Sequence, residues 1–326
     1  MTSHQLADVL PMASRAEAAV VAARLVANIE TVIHGRRGAV ELVVGAVLAG
    51  GHVLVEDVPG SGKTTLARAV ARSLGGTFRR IQGTADLLPA DITGSGVWEA
   101  GQREFGFVPG PVFANVVLVD ELNRTPPRTQ SAFLEAMDEG AVTVDGRRHA
   151  LPDPFVMLAT QNPLEQYGTY PLPEGQLDRF AVTLSLGAND PATERRVVRE
   201  QLDHATVDEL SAITTPSQLV AIRAEVRRTH VAEPVLDLAV RIAETTRDHP
   251  AVALGASTRA ALALVRCAQA RALLDGRDPV LPDDVKALAA AVLGHRLVMQ
   301  DGGQGLRAGQ RLVGELVATV PVTLQA

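Results

Sequence analysis

The chain has 326 residues, room for two domains or for one large α/β domain with an appended module. With 46% hydrophobic and 21% charged residues and near-average Gly and Pro, it is no collagen-like, coiled-coil or wholly disordered protein. A net charge of −6 disfavours a chain devoted to neutralising phosphate backbones, and the single cysteine, Cys267, allows neither an intramolecular disulfide nor a thiolate metal cluster.

Residues 1–14 lack a basic segment followed by an apolar one, and the longest apolar stretch, 42–51, is too short to span a bilayer, so a cytoplasmic protein is expected. Residues 15–33 read as an amphipathic helix with Ala18, Val21, Leu25 and Ile29 along one face, packed on the core. Residues 52–56, His-Val-Leu-Val-Glu, form a candidate buried strand. They run into Asp57-Val-Pro-Gly-Ser-Gly-Lys-Thr-Thr and then a helix over 65–74.

Strand, Gly-rich turn and helix stand in the order of a phosphate-binding P-loop. Gly60 and Gly62 let backbone N–H groups curl around an anion, and the helix N-terminus adds partial positive charge. Only two of the 31 basic residues, Lys63 and Lys286, are lysines. Lys63 is expected to meet the β- and γ-phosphates of ATP, and the Thr64 hydroxyl to ligate Mg²⁺. The nucleotide-binding set is thus Asp57, Pro59, Gly60, Ser61, Gly62, Lys63, Thr64 and Thr65. Asp57 stands where the consensus has Gly, a replacement tolerated because Asp can occupy unusual turn conformations.

Downstream, residues 116–121 are four apolar positions followed by Asp120 and Glu121, the pattern of a central strand whose C-terminal end reaches a crevice. Asp120 is expected to hold Mg²⁺ and Glu121 to orient and deprotonate the attacking water, since hydrolysis needs the two tasks done by separate groups. A helix spans 127–138. A third buried run, 155–160, brings Asn162 to the same crevice, and a last strand covers 182–186. All ten aromatic residues lie between Phe78 and Phe180, and the composition shifts near residue 188. Beyond it, segments 192–204, 217–228, 234–248, 257–274 and 282–293 open with cap-like residues or Pro and carry Ala, Leu and Val at helical spacing. No alternating β-branched run follows residue 188, which predicts an α/β core over 1–188 and an all-helical module over 189–326.

Several stretches resemble the MoxR family of AAA+ ATPases, in the magnesium chelatase and MCM branch. They are Val117-Leu-Val-Asp-Glu-Leu-Asn-Arg-Thr-Pro-Pro-Arg-Thr-Gln-Ser-Ala-Phe-Leu-Glu-Ala-Met137, Ala159-Thr-Gln-Asn-Pro-Leu-Glu165, the run from Gly168 to Phe180, and Gly255-Ala-Ser-Thr-Arg-Ala260. The resemblance implies a P-loop αβα sandwich with a five-stranded parallel sheet, a C-terminal helical lid and a ring, usually a hexamer, with nucleotide between neighbouring subunits. It assigns Asn162 to sensor 1, Arg179 to the arginine finger and Arg259 to sensor 2, with Arg124 and Arg128 as alternative fingers. Residues 94–107 fit the family's helix-2 insert, and 139–151, with the Asp145-Gly146 turn, its hairpin before sensor 1. Thr258 stands where the family commonly has Pro.

Three functions follow from this reading. The first is an ATP-driven, chaperone-like remodeller, which the resemblance pairs with von Willebrand factor A domain proteins in complex maturation or metal-cofactor insertion. The second is a nucleic-acid motor, disfavoured by the acidity of the chain and by a hairpin, 143–149, without aromatic residues for base stacking. The third is a nucleotide-gated scaffold with little hydrolysis, against which Glu121 and Asn162 argue.

Overall fold

The computed structural model describes residues 14–57, 60–99, 104–162, 168–202, 207–300 and 306–321. Pro59 of the phosphate loop, and parts of the stretches 94–107 and 159–165, lie outside the described residues.

Two helices, α1 (Arg15–Glu30) and α2 (Arg37–Leu48), precede β1 (His52–Glu56), which leads into α3 (Lys63–Ser73) and β2 (Phe78–Gln82). A short helix, α4 (Pro89–Thr93), and a hairpin of β3 (Gly94–Glu99) with β4 (Glu104–Pro109) separate β2 from β5 (Val116–Asp120). The helix α5 (Pro127–Glu139) passes through a second hairpin, β6 (Ala141–Val144) with β7 (Arg147–Ala150), to β8 (Val156–Gln161). A single turn, α6 (Glu174–Leu177), then precedes β9 (Phe180–Leu184). Both expected insertions are therefore antiparallel hairpins.

The five strands β2, β5, β8, β1 and β9 pair in that order, all parallel, so every C-terminal end points to one edge of the sheet. Both faces are covered, which is why the central strands read as apolar runs. Val53 and Val55 of β1 pack into a cluster with α1, α2 and α3, whereas Leu54 points to the other face, against Phe133 and Ala136 of α5. β2 is absent from the apolar pattern because it is an edge strand, Phe-Arg-Arg-Ile-Gln, with only Ile81 buried.

The lid contains α7 (Pro191–Leu202), α8 (Pro216–Arg228), α9 (Glu233–Arg247), α10 (Thr258–Leu274), α11 (Pro282–Leu293) and α12 (Leu306–Thr319). The side chain of Thr215 caps α8 by accepting from Gln218 N, and Ser257 caps α10 by accepting from Ala260 N at 3.0 Å. One small ribbon, β10 (Val252–Leu254) with β11 (Val298–Met299), interrupts the helices. Strands of two and three residues carry no detectable alternation, so the expectation of no strand beyond residue 188 is corrected on this point.

The lid packs on the core and on the N-terminal helices. α10 lies against α1 and α2, and one apolar cluster runs from Ala18 and Leu25 through Val182 to Leu264 and Val313. Full burial of a Leu or Val side chain contributes about 1.5–3 kcal/mol, so this shared face ties the first helix to the last ones. α1 ends at Glu30, and the chain from Thr31 to Arg36 crosses the C-terminal edge of the sheet toward α2.

Candidate nucleotide site

At the C-terminal edge of the sheet the chain leaves β1 and turns into α3. Gly60 and Gly62 have φ of +82° and +92°, a left-handed geometry that side chains rarely adopt, and Gly62 is the N-cap of α3. Lys63 and Thr64 therefore open a helix whose first N–H groups face a cleft of about 1000 Å³. The Lys63 ammonium donates to the Asp57 carbonyl at 3.0 Å. Ser61 Oγ is buried with no hydrogen-bond partner, an orphaned group that a ligand oxygen would satisfy.

Asp57 is explained differently from the turn geometry expected. Among the described residues only Glu121 and Asp145 are non-glycine residues with positive φ, so Asp57 is not in the left-handed conformation. Its carboxylate instead accepts the backbone N–H groups of Leu186 and Gly187, at 2.8 and 2.9 Å, just beyond β9. The first P-loop residue thereby straps the loop to the segment that leads into the lid.

Asp120 and Glu121 emerge from β5 beside this loop. Glu121 has φ +57°, a left-handed conformation that costs a non-glycine residue on the order of 1–3 kcal/mol and that turns its side chain out of the strand into the cleft. Thr160 of β8 braces both acids, accepting from Glu121 N at 2.9 Å and donating to Asp120 Oδ1 at 3.4 Å. Gln82 Nε2 donates to Glu121 Oε2 at 2.9 Å, and Arg124 Nε lies 3.1 Å from the same oxygen. Arg80 Nε pairs with Asp120 Oδ2 at 2.6 Å. Gly83 permits this crowding, since a Cβ there would fall 2.2 Å from the Glu121 carbonyl oxygen. Asn162, nearly buried, lines the same cleft.

Thr160, Gln82 and Arg80 were not apparent from the motifs. Their signal is the parallel register, in which Gln82 sits opposite Asp120 and Ala159 opposite Val119, and that register requires β2 to have been recognised first.

The far end of the cleft is closed by the N-terminal segment and the first lid helix. Val32, Ile33, Leu186 and Val197 provide apolar surface suited to a nucleobase. His34 Nε2 lies 2.6 Å from Glu200 Oε2 on α7, and Arg36 donates to Gly187 O at 2.8 Å and to Asn189 Oδ1 at 2.7 Å. Motif reading found none of these residues, because the sequence 31–36 matches no phosphate or acid pattern.

Thr64 and Asp120 offer a hydroxyl and a carboxylate, hard oxygen donors of the kind Mg²⁺ takes together with water and phosphate oxygens. No cluster of three or more His, Cys, Asp or Glu side chains able to hold a metal occurs among the described residues. The donor set thus suits a cation that arrives with a nucleotide.

Arg179 and Arg259 stand apart from this cleft. Arg179 immediately precedes β9, so it lies at the N-terminal edge of the sheet, roughly 15 Å from the edge that carries the P-loop, at about 3.3 Å per strand residue. Its Nε pairs with Asp138 Oδ2 at 2.5 Å, and Arg259 Nη1 lies 3.6 Å from Asp138 Oδ1. The two guanidiniums thus share one carboxylate. Of the alternative fingers, Arg124 is engaged by Glu121 of its own chain, and Arg128 is exposed on the first turn of α5.

The chain has relatives among known proteins. Residues 52–182 match the ATPase family associated with various cellular activities (AAA), and residues 244–314 match an AAA lid domain. The chain is 44% identical to the YeaC protein of Bacillus subtilis over 93% of this chain and 95% of that one. It is 39% identical to chaperone MoxR1 of Mycobacterium tuberculosis, covering 85% of this chain and 75% of the other. Identity to protein MoxR of Methylorubrum extorquens is 31%, over 94% and 95% of the two chains. A crystal structure of a Cytophaga hutchinsonii protein superposes with a TM-score of 0.85 at 33% identity, covering 94% of this chain and 98% of that one. No helix among the described residues is long and apolar enough to cross a membrane.

Proposed function

Since the chain belongs to the MoxR family of AAA ATPases, with a five-stranded parallel α/β core and a C-terminal helical lid, we propose that it hydrolyses ATP to ADP and phosphate as a chaperone-like remodeller of partner proteins. The observation that carries this reading is the convergence on one cleft of Lys63 and Thr64 from the start of α3, Asp120 and Glu121 from the end of β5, and Asn162 from the end of β8.

In this mechanism the N–H groups of the loop and Lys63 hold the phosphates. Bound Mg²⁺, taken by Thr64 and Asp120, would offset phosphate charge. Glu121 accepts the proton of the attacking water, and Asn162 orients that water by its side-chain amide. Charge developing on the transferred phosphoryl group requires a further cation. Arg179 and Arg259 lie too far from their own cleft to supply it, so both act on the nucleotide of the next subunit. The working form is accordingly a ring, a hexamer on the family pattern. A von Willebrand factor A domain protein is the proposed partner, the likeness to chaperone MoxR1 supporting a protein client.

Glu121→Gln tests the reading, because the amide keeps the shape and cannot take the proton. ATP affinity is expected to persist while turnover is lost, and the ATP-loaded variant should retain its partner in a pull-down. Unchanged ATPase activity would remove Glu121 from the mechanism, and with it the case for hydrolysis at this cleft.

A further inference from the structure

At the N-terminal edge of the sheet, the buried Arg296 and the half-buried Asp178 form a network around Arg179. Arg296, 5% exposed, belongs to a single helical turn, Gly294–Arg296, of the lid. Its Nε donates to Asp178 Oδ1 at 2.8 Å, and its Nη2 donates to the carbonyls of Asp178 and Phe180 at 3.1 and 2.7 Å. Nη1 reaches the Val292 carbonyl. One lid guanidinium therefore grips the backbone on both sides of Arg179. The neighbouring His295 Nε2 adds a contact to the Phe180 carbonyl at 3.1 Å.

The Asp178 carboxylate has a second partner. Ser257 Oγ lies 3.0 Å from each of its oxygens while accepting from Ala260 N as the cap of α10. Arg259 is the second residue of that helix. A single carboxylate thus fixes the loop of Arg179 and the helix start of Arg259 relative to one another, and Asp138 lies between the two guanidiniums. An ion pair withdrawn this far from water is a poor device for stability alone, because desolvation of the charges offsets much of their attraction; its use is geometric.

We propose that Asp178 and Arg296, with Ser257, are positioning residues that lock Arg179 and Arg259 into one unit, presented together to the nucleotide of the neighbouring subunit. The inference rests on the reading that those two arginines act across the subunit interface. It makes the lid a structural part of the finger: a lid movement that displaces Arg296 or the start of α10 displaces both cations at once. Sensor and finger then report the same event.

The test is steady-state ATPase kinetics of Asp178→Asn and Ser257→Ala in the full-length protein, beside Arg179→Ala. Asp178→Asn is expected to lower kcat at least tenfold with KM for ATP within twofold. Mixing it with Lys63→Ala subunits should restore activity, since the latter supply an intact finger to an intact P-loop. Added to Arg179→Ala, it should lower kcat by less than it does alone, since only Arg259 is then left for it to position, the non-additivity expected of residues acting through one another. Wild-type kcat in a folded Asp178→Asn protein, when Arg179→Ala has lost turnover, overturns the network and leaves the finger standing; so does a fully additive double variant. Full turnover in Arg179→Ala overturns both. Should Asp178→Asn not fold, Ser257→Ala decides: a several-fold lower kcat at unchanged KM is expected in a protein whose melting temperature falls by no more than the loss of one helix cap, and wild-type kcat overturns the proposal.

Discussion

Gln82 holds Glu121: the amide of the edge strand donates to one carboxylate oxygen at 2.9 Å, and Arg124 approaches the same oxygen. A carboxylate oxygen so engaged has less lone-pair capacity left to accept a hydrogen bond from a water in the cleft. It is also tied to β2, the edge strand of the sheet among the described residues.

Releasing that contact should raise basal turnover. A hydrogen bond to a charged group contributes about 1.5 kcal/mol or more, and 1.4 kcal/mol is a factor of about ten, so Gln82→Ala is expected to increase kcat several-fold, up to about tenfold, with little change in KM. The measurement is ATPase rate at saturating ATP without partner protein. A fall in rate would mean that Gln82 aims the carboxylate instead of restraining it.

The strap from Asp57 to Leu186 and Gly187 gives a second expectation. Asp57→Ala leaves the Leu186 N–H without its acceptor and the Gly187 N–H with only Ser185 Oγ, 3.1 Å away, and is expected to destabilise the fold by about 1–3 kcal/mol. It should also raise KM for ATP, because the loop and the segment that lines the base end of the cleft lose their connection. Asp57→Asn keeps a carbonyl acceptor and should recover most of both effects. Equal KM in wild type and Asp57→Ala would show that the strap serves folding alone.

Acid sensitivity follows from His52, at the start of β1. Its Nδ1 accepts the Met157 N–H at 3.0 Å and its Nε2 donates to the Met137 carbonyl at 3.2 Å, so the buried ring is neutral. Burial lowers its pKa from 6.5 to about 4. In the unfolded chain the ring protonates near 6.5, so the native contribution is complete above that pH and is lost as pH falls from 6.5 toward 4. The difference corresponds to about 3 kcal/mol. Urea midpoints are expected to fall over this window in the wild type and to fall less in His52→Gln. Parallel pH profiles for the two proteins would assign the acid loss to other groups.

Much of the core was legible in the chain itself, because its chemistry is local. A P-loop needs a strand, two glycines, a lysine and a hydroxyl within about a dozen positions, and here they run from His52 to Thr65. The strand before Asp120 and Glu121, and the one before Asn162, declare themselves as apolar runs because parallel strands covered on both faces bury side chains of both orientations. Helices α8, α10 and α11 open at the expected cap residues or prolines.

What required the tertiary structure is whatever depends on contact between distant segments. β2 carries Arg79, Arg80 and Gln82 and looks like a polar loop until its register with β5 sets Gln82 against the acids. Asp57 reads as a defect in a consensus until its carboxylate meets residues 129 and 130 positions away. Arg179 and Arg259, 80 positions apart, become neighbours because Ser257 and Arg296 of the lid converge on Asp178. Periodicity and spacing record which face of its own element a side chain occupies; they carry no record of which other element that face will meet, since packing selects the partner only when the whole chain has closed around its core.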